Sequence, residues 1–413
     1  MRVGAFHTAV ASLLAAAIGW LIASTTLGAQ KEGKSPLANK KPEMMKILRD
    51  RDIPAGQKEA FDEYINDYLL KPFTEKSPSL HDNLPRFRKE LKQHLTMGKT
   101  GEAHDHLNDL TLKKMKDILL SKSDSAQKVN AMIVIGDLNE TEIDGTIPAK
   151  PLPTSFPVIL VAVQSPKFTD DVKVTALVGL ERFAAAGAIP ADKKADLTKL
   201  LLALLNQQNP PGIRDPAAHD WMRRLAAQVL ASMGNTGPDN SVVKAFVAIV
   251  SDSKARTTLR CDLAQYLGQF KYPAGSKVDY TALANTEGRL VVDVCQQEVE
   301  RAKNSNRAVS RRLIMYAIDC VLLGLGKEPS GGKAGTGMLA AAAASPHKDF
   351  VETVKAKLIA VNKWLDDTEL TEDQIETDLL GKIDGLQSAL VPLKKEELMA
   401  ADNKEKIAEP AKQ

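Results

Sequence analysis

The chain has 413 residues, with 55 Lys and Arg against 52 Asp and Glu, so no net field of either sign surrounds it. That balance argues against a nucleic-acid binder and against recruitment to an anionic membrane by charge. Aromatic residues are 5% and cysteines number three, too few for rows of sugar-stacking platforms or for a disulfide framework.

Met1-Arg2 is followed by an uncharged apolar stretch from Ala9 to Leu27, then by the small residues Gly28-Ala29 ahead of Gln30-Lys31. A positive start, an apolar centre and a small-residue exit describe a secretory signal. Cleavage after Ala29 is expected, although Leu27 is an unusual residue for its place. The competing expectation is an uncleaved anchor, because Ala9 to Ala29 is 21 residues and about 20 cross a bilayer. Either way the chain is expected outside the cytoplasm, with any membrane association confined to that segment. Residues 30–42 lack apolar period and read as a linker.

Residues 43–101 carry helical stripes of no common frame. Phe61, Tyr64, Ile65, Tyr68 and Leu69 recur at three and four before Pro72, and Leu84, Phe87, Leu91 and Leu95 follow a capping Asn83. They are expected to form an atypical helical cap or degenerate repeats.

Residues 102–326 are expected to hold repeats of one frame, plain over about 102–270 and weak over 271–325. It is plainest in Leu259-Arg260-Cys261-Asp262-Leu263-Ala264-Gln265-Tyr266-Leu267-Gly268, and it returns around Met222-Arg223, Val172-Lys173 and Gln127-Lys128. The basic positions Lys128, Lys173, Arg223 and Arg260 are separated by 45, 50 and 37 residues. A helix-spaced unit repeating at about 40–47 residues is the mark of stacked helix pairs. Leu107, Leu110 and Ile118, then Leu197 to Leu204, then Val242 to Val250 supply first helices. Phe156 to Val163 is apolar throughout, and strand or helix fits it locally; its place ahead of the Lys173 segment predicts helix. A further pair is expected over 287–303 and 307–325. Residues 327–345 read as a Gly- and Ala-rich linker, 346–393 as C-terminal helices opened by Ser345-Pro346, and 394–413 as a charged, disordered tail.

The frame resembles the second helix of HEAT repeats and, more loosely, armadillo-type repeats, with an acidic residue, a basic residue, Ala-rich spacing and Leu-Gly. Asp124, Asp170 or Asp171 and Asp220 stand at the acidic place, and Asp252, matched with Arg260 in the frame, lies well off the family spacing. The resemblance implies an all-α, right-handed superhelix of about five to six helix pairs, with second helices on the concave face. On that face Lys128, Lys173, Arg223 and Arg260 are candidate contacts, and structural pairing with the acidic residues is the competing role. A no-sheet fold and burial of Ala176, Ala226, Ala227 and Ala264 follow.

Candidate chemistry is sparse. Gly331-Gly332-Lys333 lacks the spacing and the Ser or Thr of a phosphate loop. His104-Asp105-His106 lie on a predicted helix, where residues two apart diverge; a solvated polar helix start is expected there. The acidic run Asp366 to Asp378 lacks the Gly turn of a calcium hand. Cys261, Cys295 and Cys320 sit in apolar helical patterns and are expected to be buried, with Cys261 to Cys295 the one bridge considered. No catalytic residue, cofactor or metal site is assigned. The expected function is a non-catalytic scaffold binding a protein or peptide partner. The alternative is an extracytoplasmic enzyme on an all-helical toroid, of polysaccharide lyase or glycosidase type, which needs paired carboxylates in a cleft.

Overall fold

In the computed structural model, residues 36–75, 80–272, 278–305, 307–326 and 337–392 are described. The export segment, most of the linker after it, residues 327–336 of the glycine-rich stretch with Lys333, and the charged tail lie outside them. The chain is almost wholly helical and divides after Leu152 into two compact units. The stretch read as one repeat array therefore contributes to both.

The first unit holds α1 (Lys41–Asp50), α2 (Lys58–Tyr64), α3 (Leu80–Gly98), α4 (Glu102–Leu120) and α5 (Ser125–Asp137). α2 runs on through one wider turn, Ile65–Leu69, so the predicted stripe of Phe61, Tyr64, Ile65 and Leu69 is buried as a unit. Asn83 lies inside α3 rather than capping it. α1 and α4 meet end to end: the Ala103 N–H donates to the Arg51 carbonyl at 2.9 Å. Gly101 makes that junction with φ of +108°, and a β-carbon there would come within 2.7 Å of the Arg51 Cβ, so only glycine fits.

A two-stranded antiparallel ribbon, β1 (Asn139–Thr141) with β2 (Lys150–Pro151), departs from the expected absence of sheet. α5 ends in extended backbone at Leu138, and the Asn108 side chain in α4 donates to the Asn139 carbonyl at 2.8 Å. That bond gives the extended chain a buried partner, which is what stabilises so short a ribbon.

The second unit holds α6 (Phe156–Gln164), α7 (Asp170–Ala185), α8 (Lys194–Asn206), α9 (Pro216–Met233), α10 (Ser241–Val250), α11 (Thr257–Leu267), α12 (Tyr280–Ser305), α13 (Arg311–Leu325), α14 (Met338–Ala342), α15 (Lys348–Leu365) and α16 (Glu372–Gln387). Four consecutive pairs, α6 with α7 through α12 with α13, pack internally. The second members also pack on one another, α7 on α9, α9 on α11 and α11 on α13, and α13 then packs on α15. Phe156 to Val163 is helical, as its position predicted. Ala176, Ala226, Ala227 and Ala264 are fully buried, where second helices approach one another.

Local sequence explains several ends. Asp124 caps α5 and Asp215 caps α9, the latter followed by Pro216 at the first helical position. Asp220, in the frame's acidic place, lies a turn inside α9. α15 starts at Lys348, two residues beyond Ser345-Pro346, with the Ser345 hydroxyl accepting from the His347 N–H. Thr371 and Gln374 close a reciprocal capping box within the acidic run and start α16.

Candidate functional site

Lys128, Lys173 and Arg260 occupy the fourth position of α5, α7 and α11, whereas Arg223 is one turn further into α9. The two lysines are half-buried. The two arginines are core residues, at 5% and 1% exposure, and this corrects their reading as concave-face contacts. Arg260 Nε donates to the Val250 carbonyl at 2.8 Å and Nη2 pairs with Asp293 of α12 at 2.9 Å. Arg223 Nε donates to the Leu205 carbonyl at 2.9 Å and Nη1 pairs with Asp220 at 3.0 Å.

The parallel is physical. The last four carbonyls of a helix have no partner within it and carry partial negative charge. In both pairs an arginine of the second helix supplies a cationic donor to the C-terminal turn of the first. Each guanidinium is held by a carbonyl and a carboxylate, although Arg260 Nη1 is buried without a partner among the described residues.

Polar side chains instead cross the second helices as a lateral row. Ser232 of α9 donates to Glu181 of α7 at 3.1 Å. Arg224 pairs with Asp262 of α11 at 2.6 Å, and the Tyr316 hydroxyl of α13 donates to the other Asp262 oxygen at 2.6 Å. Asn362 of α15 donates to Asp319 of α13 at 3.5 Å. The Arg224 guanidinium lies 5.2 Å from the Trp221 ring centre, and Trp221 is 38% exposed. Asp220 adds Arg256 at 3.0 Å, whose side chain stands half in solvent.

Burial pushes the Asp262 carboxyl above its ordinary range, although the Arg224 charge and the Tyr316 hydroxyl pull it back. Burial raises Glu181 as well, against the bond from Ser232. It drives the Tyr266 and Tyr316 phenols upward and pushes the Cys261 and Cys295 thiols up to about 12. Cys320 moves the same way. These cysteines are free thiols in the structure and supply no thiolate nucleophile at neutral pH. The row offers hydrogen-bond donors, acceptors and one stacked aromatic cation, which is recognition chemistry.

One further carboxyl is isolated. Glu287 of α12 is fully buried, and neither oxygen meets a hydrogen-bond donor among the described residues. Burial alone holds its carboxyl well above the usual value of 4.5, which favours the neutral form in the core.

In the first unit, the two histidines of His104-Asp105-His106 part company. His104 is fully buried, with Glu142 at 3.9 Å, which corrects the solvated helix start expected there. His106 pairs with Asp62 at 2.5 Å beside Lys58, at a shallow depression that Glu102 and Asp109 also line. Among the described residues no group of three or more His, Cys, Asp or Glu is arranged to hold a metal ion.

Sequence reasoning chose Arg223 and missed Arg224, its neighbour. One residue turns about 100° around a helix, and the Trp221 and Arg224 pair at i and i+3 was the available signal for the outward face. Asp262 and Tyr316 had no such signal, since their meeting depends on how α11 and α13 pack. Compared with known proteins, the chain matches no family model, no curated protein and no solved structure.

Proposed function

We propose that the protein is an exported, non-catalytic scaffold of the HEAT-like class. In this reading the helix pairs wind as a right-handed solenoid, and a protein or peptide partner lies along the face built by the second helices. The observation that carries it is the polar row spanning α7, α9, α11, α13 and α15, edged by the exposed Trp221. Solenoid stacking supplies extended surfaces of this kind, and Trp and Arg are the side chains that dominate binding at interface centres.

The location rests on the leader-like sequence at residues 1–29. Within the described residues no helix is long and apolar enough to cross a membrane. N-terminal sequencing of the exported product is expected to begin near Gln30, or to show a retained membrane-embedded leader. Met1 on a soluble cytoplasmic product would remove the location from the proposal.

The binding face is tested by affinity capture from an extracytoplasmic extract with the full chain and with a Trp221→Ala, Arg256→Ala double variant. A partner held by the parent and released by the variant is expected. Identical capture by both would place binding elsewhere and overturn the proposed face.

A further inference from the structure

α11 and α13 make an unusually close helix crossing, and its register can be read from backbone contacts. A β-carbon on Gly324 would strike the Ala264 carbonyl oxygen, and one on Gly268 would strike the Gly324 carbonyl oxygen. Gly324 therefore packs between Ala264 and Gly268, backbone against backbone, with the Glu287 Oε1 atom 2.7 Å from where its β-carbon would stand. Two side-chain contacts nearer the helix starts agree with this register: the Tyr316 hydroxyl with Asp262, and the Cys320 sulfur with the Gln265 side chain at 3.9 Å.

One helical turn back from Gly324 is Cys320. One turn back from Ala264 and Gly268 are Cys261 and Gln265, since residues three and four apart share a face. The crossing thus places Cys320 between Cys261 and Gln265, one turn before the point where the helices are closest. Both cysteines are buried, at 0% and 3% exposure. A disulfide needs Cα atoms roughly 4.4–6.8 Å apart, a distance that helices reach only where small residues line the crossing, as they do here.

We propose that Cys261 and Cys320 are a disulfide site that cross-links α11 to α13. The pairing replaces Cys261 with Cys295, which consecutive helices alone had suggested. The oxidant is a disulfide donor, either a small-molecule disulfide such as oxidised glutathione or a thiol–disulfide oxidoreductase. One cysteine thiolate attacks the donor's S–S bond, forming a mixed disulfide and releasing one donor thiol. The second cysteine thiolate then attacks the protein sulfur of that mixed disulfide and releases the other donor thiol. Two protein thiols lose two protons and two electrons, and one donor disulfide becomes two thiols. Because both thiols are buried and resist ionisation once α11 and α13 have closed, the exchange belongs to the folding chain. In a cell it would use the oxidising compartment that the export reading assigns.

The test is to refold the reduced full-length chain with reduced and oxidised glutathione, alkylate the remaining thiols, digest, and map linked peptides by mass. A dithiothreitol-sensitive Cys261–Cys320 link with alkylated Cys295 is expected. The link should raise Tm by roughly 5 °C over the reduced protein. The Cys295→Ala variant should form the same link, and Cys320→Ala should leave Cys261 alkylated. Three alkylated cysteines, a stable glutathione adduct on Cys261 or Cys320, or a link to Cys295 would each overturn the proposal. The parent chain decides the matter alone if a variant fails to fold.

Discussion

The two units bury polar groups in opposite ways. In the first, buried or half-buried acids find cations or donors. Burial pushes the Asp62 and Glu90 carboxyls up, but His106 with Lys58, and Lys41 with Tyr68, outweigh it and leave both below their ordinary values. His94 donates from Nδ1 to the Glu90 carbonyl and accepts from the Tyr64 hydroxyl at 2.9 Å, a satisfied neutral imidazole. In the second, burial prevails at Glu181, Asp262 and Glu287, and all three carboxyls are raised. Asp170, gripped by both ends of the Arg214 guanidinium at 2.7 Å, is the exception there and is lowered. The difference teaches that in the second unit the two most buried arginines are divided between helix ends and carboxylates. Arg223 and Arg260 each serve a backbone carbonyl as well as an Asp, and Glu287 is left without a hydrogen-bond donor among the described residues.

The largest break in this comparison comes from removing an internal guanidinium. Arg260→Ala deletes a buried side chain and leaves the Val250 carbonyl without its donor, and should cost about 3 kcal/mol. Lys128→Ala in the first unit removes a half-buried lysine and should cost at most about 0.5 kcal/mol. Urea denaturation followed separately in each unit checks both; equal losses would mean the two basic positions do the same work.

Next in size is overpacking. Ala227→Leu and Ala264→Leu each force a branched side chain into filled space and should destabilise by roughly 1–3 kcal/mol. Gly381→Ala is the control, because nothing lies within 4 Å of an added β-carbon there; it should be neutral or gain up to about 1 kcal/mol from helix propensity. An unchanged denaturation midpoint for both leucine variants would show that second helices do not pack through these alanines.

A smaller effect separates the units by pH. At pH above 4.5 an unfolded Glu287 has released the proton that the folded chain keeps. Its contribution is therefore full at low pH and declines as pH rises toward the raised folded value. Asp62 and Glu90 act with the opposite sign, stabilising above the ordinary carboxylate range and losing that as pH falls below about 4. Hydrogen exchange at pH 3.5, 5 and 8 should show the first unit loosening in acid and the second in base. Glu287→Gln should flatten the alkaline fall of the second unit alone. A parallel response of both units would remove the distinction.

The smallest expected effect on stability is at the exposed edge. Trp221→Ala should change unfolding by about 0.5 kcal/mol or less, since the ring is partly in solvent. A loss above about 2 kcal/mol would make the tryptophan a structural residue instead of a contact.

How much of this was legible follows from what each feature depends on. Val242, Val243, Phe246 and Val250 announced α10 because burial on one face is a one-dimensional periodicity. The alanines at the frame's centre were legible for the same reason. The direction of a long side chain was not: Arg260 is compatible with solvent or with a neighbouring helix end, and only packing decides. Glu287 violated the pattern that any reading relies on, placing an ionisable side chain at a core position. The ribbon at Asn139 was too short to carry strand alternation, and it depends on Asn108, thirty-one positions earlier.

The guanidinium ties also have a mechanical consequence. Arg223 and Arg260 fasten each second helix to the end of its first, so those pairs behave as stiff links. Between links, several of the bonds are ionic and partly wet, at Arg224 with Asp262 and Asp220 with Arg256. Salt screens the exposed pairs and leaves the buried carbonyl bonds nearly untouched. The second unit should therefore act as an elastic element whose compliance is concentrated at its joints. Its extension under load should soften with ionic strength, while the force that ruptures an individual link stays constant.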